Sequence, residues 1–215
     1  MFLLEFLSKP ELLIIFLLSL VLAVTVHEFT HAWTADRLGD PTPGLMGRLT
    51  LNPAAHLDPI GSLLFLFIGF GWGKPVPYDP FNLKDPRRDA ALISVAGPLS
   101  NFIMALTAAI IIRLLNLVEL NYLISIGYLF LIWFIRINII LGIVNLLPFA
   151  PLDGFQFVGG LLSKKQSVEW FGLQRFGLLF LLFFIFPFAN GRSMLEILLS
   201  PVINTLISFL IPGIR

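Results

Sequence analysis

Apolar residues in this chain run in blocks longer than a soluble core needs. Residues 12–26 carry no charge, residues 91–112 are uncharged throughout, and residues 120–147 are interrupted only by Arg136. Residues 176–190 and 197–211 continue the pattern. A membrane-spanning helix needs about 20 mostly apolar residues. With their lead-in residues, these blocks predict five spans, at about residues 10–36, 91–114, 120–147, 170–190 and 194–212. The expected fold class is an all-α polytopic membrane protein, forming one membrane-embedded domain over residues 1–215.

The intervening segment, residues 37–90, is rich in Pro and Gly. Within it, Gly47-Arg48-Leu49-Thr50-Leu51 alternates polar and apolar as a short strand would. Residues 63–70 are apolar but too few to span, which predicts a re-entrant segment at about 60–72, shielded by protein rather than lipid. Residues 71–77, Gly-Trp-Gly-Lys-Pro-Val-Pro, then break regular structure.

Composition agrees with this pattern. The chain is 57% hydrophobic and 13% charged, where soluble domains carry about 25% charged residues. A net charge of +1 gives no reason to expect nucleic acid as a partner. Cysteine is absent, so any metal must be held by His, Asp or Glu. The first apolar run has acidic flanks, Glu5 and Glu11, and leads straight into polar chemistry, so it is expected to be retained rather than cleaved. Basic residues gather at Arg37, Arg48, Lys74, Lys84, Arg87, Arg88, Lys164 and Lys165. The positive-inside rule therefore predicts cytoplasmic loops at 37–90 and 148–169 and an external N-terminus.

The chemistry is concentrated at Val26-His27-Glu28-Phe29-Thr30-His31, which reads H-E-x-x-H at the end of the first block. Residues four apart on a helix project from one face, so His27 and His31 can grip one Zn²⁺. Glu28 then points close to the metal and suits a general base. The competing reading is a packed histidine pair hydrogen-bonded to its neighbours. Ionisable groups inside membranes more often mark function. A catalytic zinc wants a third protein ligand and an open position. Asp153 is a candidate, at a turn after Pro148 and Pro151 and before Gly154. A solvated turn aspartate is the alternative. The charge pattern places the ends of both helices on the same side, which favours the ligand.

Lesser signals follow. Asn101, beside Gly97-Pro98, reads either as part of a packing kink or as a substrate or oxyanion contact. Asn145 reads as a similar contact or as a helix cap. His56, in a loop between two prolines, reads as a gate or regulatory ligand, or as an ordinary turn residue. Arg136 lies mid-span, paired inside the bundle or snorkelling.

Together, H-E-x-x-H on one helix, Gly97-Pro98-Leu99-Ser100-Asn101 on the next, and Asn145-x-x-Pro148 with Leu152-Asp153-Gly154 on the third resemble the site-2 protease family of intramembrane zinc metalloproteases, peptidase family M50. The segment from Leu51 to Gly61 also resembles a stretch of compact prokaryotic members. The resemblance implies one Zn²⁺ on His27, His31 and Asp153, with Glu28 as catalytic base. It implies hydrolysis of a peptide bond in or near a transmembrane segment of a membrane-protein substrate, within a lipid bilayer, a prokaryotic plasma membrane for the family's compact members, with the active site near the cytoplasmic face. The chain has no room for the PDZ or CBS domain of many relatives, so regulation would fall to a homo-oligomer or a separate chain. Two other function classes stay in view: an ion or metal transporter, since broken helices also build ion paths, and a non-catalytic relative that binds membrane helices. The absence of an internal repeat argues against the first, and Glu28 against the second.

Overall fold

In the computed structural model, residues 9–68, 71–115, 122–189 and 191–211 are described. Helix α1, Pro10–Arg37, begins at a proline whose missing N–H costs nothing in the first turn and carries Glu11 where the helix dipole favours an acid. It ends as Leu38 N donates to Thr34 O and Gly39, at φ 109°, turns the chain away. Helices α2, Pro59–Ile68, and α3, Pro86–Leu115, follow. Then come α4, Tyr122–Asn145; α5, Asp153–Leu161; and α6, Lys164–Phe171. A 3₁₀ turn, Gly172–Phe176, joins α6 to α7, Gly177–Ile185. Strands β1, Pro187–Ala189, and β2, Arg192–Ser193, pair antiparallel before α8, Met194–Leu210.

The protein is an all-α membrane protein. Among the described residues, four helices are long and apolar enough to cross a membrane: Pro10–Arg37, Pro86–Leu115, Ile126–Asn145 and Lys164–Ile185. The last is the α6–3₁₀–α7 run. Helix α8 is apolar but has only 17 residues. The span limits expected at 120, 190 and 212, and residues 69–70 of the expected re-entrant segment, lie outside the described residues.

Helices α1, α3 and α4 pack against one another, and α5 packs on α3. A stripe of small residues on α3, Ala105, Ala108 and Ala109, lets α4 approach, and Ile112, Ile135, Ile139, Ile207 and Leu210 close the cluster. Small side chains do this work in membranes because lipid and leucine are equally apolar, so close van der Waals contact drives association. On the other side of α4, Ile137 meets Phe16 and Ala23 of α1.

The strand expected at Gly47–Leu51 does not form. Gly47 sits at φ 68° and closes the single helical turn Thr42–Leu45, which interrupts any extended run. A β-type pairing occurs elsewhere in the loop, between Leu57 and Gly73. The two ends of the loop are fastened by Asp40, which is fully buried. Its Oδ1 accepts from Thr42 N, Thr42 Oγ1 and Asn82 Nδ2, and its Oδ2 accepts from Asp79 N at 2.7 Å.

Candidate metal centre

His27 and His31 lie one turn apart on α1, both buried. Their Nε2 atoms are 3.0 Å from each other. Asp153 Oδ2 stands 3.1 Å from His27 Nε2 and 3.3 Å from His31 Nε2. A tetrahedron with ligand atoms about 2.0 Å from its centre has edges of about 3.3 Å, so the three atoms sit as corners around one zinc-sized ion.

The hydrogen bonds behind the histidines fix what those corners offer. His31 Nδ1 donates to Ile93 O at 2.7 Å. Asn138 Nδ2 donates to Phe134 O, so Asn138 Oδ1 is the acceptor for Asn101 Nδ2 at 2.8 Å. Asn101 therefore presents Oδ1 to His27 Nδ1, 2.6 Å away, and that nitrogen donates. With both Nδ1 atoms protonated, the neutral rings turn bare Nε2 lone pairs toward each other and toward a carboxylate. Asp153 Oδ2 is buried without a hydrogen-bond partner. Three converging acceptors with no proton between them fit a cation, and this donor set suits zinc.

Two glycines make the convergence possible. A Cβ at Gly97 would lie 2.3 Å from His31 Nε2 and 2.7 Å from His27 Cε1. Thus α3 presses its bare backbone against the imidazole pair. A Cβ at Gly154 would lie 2.2 Å from Leu146 O and 2.5 Å from Leu147 O. Gly154 is needed for close approach to the end of α4, inside helix α5, rather than for the turn expected from sequence. Asp153 is the first residue of α5, where the helix dipole also favours a carboxylate.

The profile of Peptidase family M50 matches residues 15–127 and 116–184. The chain belongs to peptidase family M50. It is 36% identical to "Putative zinc metalloprotease YwhC" of Bacillus subtilis (strain 168), over 94% of this chain and 99% of that one. It is 32% identical to "Putative zinc metalloprotease Rip2" of Mycobacterium tuberculosis (strain ATCC 25618 / H37Rv), over 80% of this chain and 66% of that one. It is 26% identical to "Zinc metalloprotease MJ0392" of Methanocaldococcus jannaschii, over 72% of this chain and 36% of that one. No solved structure matches. As an M50 member, the protein is a metalloendopeptidase of the membrane, and the relatives it resembles are named as zinc metalloproteases.

The remaining sequence candidates fall in different places. Glu28 is half-buried on α1, and a Cβ at Gly73 would lie 3.0 Å from its Oε1. Asn101, expected to touch substrate or oxyanion, is fully buried, with Oδ1 committed to His27 and Nδ2 to Asn138. It orients His27 and has no polar atom to offer a substrate. Asn145 donates from Nδ2 to Leu141 O in its own helix, at 3.1 Å. His56, expected as a gate, is fully buried, and its Nε2 donates to Thr50 O at 2.7 Å. Its ring braces the loop and does not join the triad. Arg136 lies over the Trp133 ring, 6.0 Å from its centroid.

Asn138 and the Ile93 carbonyl went unnoticed in the sequence. Asn138 had a signal: it is a polar residue mid-span, in the same block as Asn145. A backbone carbonyl has none.

Proposed function

We propose that this M50 chain is an intramembrane zinc metalloprotease that hydrolyses a peptide bond in or near a transmembrane segment of a membrane-protein substrate. One observation carries the reading: His27 Nε2, His31 Nε2 and Asp153 Oδ2 converge within 4.8 Å of one another, next in sequence to Glu28 on a membrane-spanning helix. His27, His31 and Asp153 hold one zinc per chain. When bound, the metal supplies Lewis acidity, acidifying water and polarising a carbonyl. Glu28 is the general base. It takes a proton from the attacking water and delivers it to the leaving amine. Asn101 acts at one remove, by keeping His27 in the tautomer that presents Nε2.

A helical substrate satisfies its backbone within itself, so the scissile peptide must unwind before attack. The site lies on α1 six to ten residues before its basic end at Arg37, which favours water reaching it from that side. By the positive-inside rule that side is the cytoplasm. Asn145, at the end of α4, remains the candidate contact for the unwound peptide.

The test uses Glu28→Gln with a membrane-embedded substrate. This variant keeps one zinc per chain and loses cleavage by a factor of about 10² or more, the usual scale for general-base removal. Cleavage at the wild-type rate by zinc-loaded Glu28→Gln would overturn the mechanism.

A further inference from the structure

Arg48 is almost wholly buried, although it belongs to the loop between α1 and α3. Its guanidinium donates to Ala55 O through one nitrogen and to Lys74 O and Pro75 O through the other, the last at 2.7 Å. Ala55 lies in one limb of the loop and Lys74–Pro75 in the other, and the two limbs meet at the Leu57–Gly73 bridge and at Lys74 N to His56 O, 2.7 Å. One arginine thus ties both limbs together. Gly73, next to the tied residues, is pressed against α1. A Cβ there would lie 3.0 Å from Glu28 Oε1, 3.3 Å from Val24 Cγ1 and 3.3 Å from His56 O. The guanidinium is planar and can fork to several carbonyls from a fixed orientation. It is also charged, and Glu28 is the carboxylate that favours that charge against the burial that opposes it.

We infer that Arg48 is a positioning residue for Glu28: its fork holds the two loop limbs as a cover whose Gly73 backbone sets where the Glu28 carboxylate stands. The inference rests on Glu28 being the base. Arg48 is not one of the converging His27, His31 and Asp153 groups and acts through the loop it ties. A methyl group at Gly73 would crowd the carboxylate, which would have to give by a few tenths of an ångström.

Two measurements test this, and they fail separately. The first is kinetic. Zinc-loaded Arg48→Met, which frees both limbs, loses about 10²-fold in kcat, the scale of an ångström's misplacement, and Gly73→Ala, which crowds the carboxylate by tenths of an ångström, loses severalfold, while KM stays near wild type and each chain retains its zinc. Arg48→Lys, which keeps the charge and three donors, recovers part of the loss. Wild-type kcat in both zinc-loaded variants would overturn the inference. The second needs no activity. The chain has no cysteine, so Val24→Cys places a single thiol beneath the cover. A water-soluble maleimide labels it severalfold faster when Arg48→Met is added, and equal rates with and without Arg48 would overturn the cover. If Arg48→Met fails to fold or to hold zinc, Gly73→Ala decides the kinetic arm. If wild-type protein cleaves nothing, the proposed function fails while the labelling result still stands.

Discussion

At the scale of single residues, the metal centre is set by groups that never touch the metal. His27 can serve as a ligand only in the tautomer that leaves Nε2 bare, and Asn101 Oδ1 selects that tautomer. Asn101 can do so because Asn138 holds its amide the right way round. Removing such a partner lowers metal affinity by about 10–100-fold. Asn101→Leu is therefore expected to weaken zinc binding on that scale, measured by competition with a chromogenic chelator. Gly97→Ala tests a different cause. Its methyl group would sit 2.3 Å from His31 Nε2, so α3 and α1 must separate. The expected outcome is zinc content far below one per chain, with helicity by circular dichroism close to wild type. A zinc-replete, active Gly97→Ala protein would refute the close-approach argument.

At the scale of elements, the loop between α1 and α3 is built rather than slack. Asp40 accepts four hydrogen bonds, of which the two from Asp79 and Asn82 join the loop's start to its end, and Arg48 joins its limbs. Burial would raise the Asp40 carboxyl, but the donors from Thr42, Asn82 and Asp79 outweigh it, so its folded pKa lies below the ordinary value. A carboxylate lowered in the folded state contributes stability above its unfolded pKa of about 3.9 and loses it as pH falls through the folded value. Asp40→Asn is thus expected to destabilise by about 1–3 kcal/mol near neutral pH, the cost of an unmet buried donor. The gap in Tm from wild type should close as pH drops below about 4. A gap that is constant with pH would remove charge from the explanation.

The same scale shows how an alternating pattern misleads. Gly47-Arg48-Leu49-Thr50-Leu51 has strand periodicity, yet Gly47 takes a left-handed turn and Arg48 points inward to backbone carbonyls. Periodicity reports which side is apolar, and in a loop packed on membrane helices that side is not set by a sheet.

At the scale of the whole molecule, three helices, α1, α3 and α4, carry the site, and α5 brings Asp153 to the two histidines. Helix α7 leaves Leu178, Leu179, Phe180 and Leu182 exposed in the protein alone, as lipid contact allows. The proposed orientation puts the basic loops in the cytoplasm. Because the chain lacks cysteine, it can be checked with one thiol at a time. Lys84→Cys should resist an impermeant maleimide in intact cells and react once the membrane is opened. Reaction in intact cells would invert the topology.

The sequence by itself determined the membrane class, through uninterrupted apolar blocks, and the two histidines with Glu28, because helix periodicity alone fixes which residues four apart share a face. It pointed to Asp153 by the cost of burying a lone carboxylate, but the distance from α1 to α5 is a matter of tertiary packing. Only the folded structure showed that Asn101 faces a histidine rather than a substrate, that His56 braces its own loop, and that Gly97 and Gly154 stand where a methyl group would collide. These depend on how closely helices approach, which is decided by atoms distant in sequence and leaves no period along the chain.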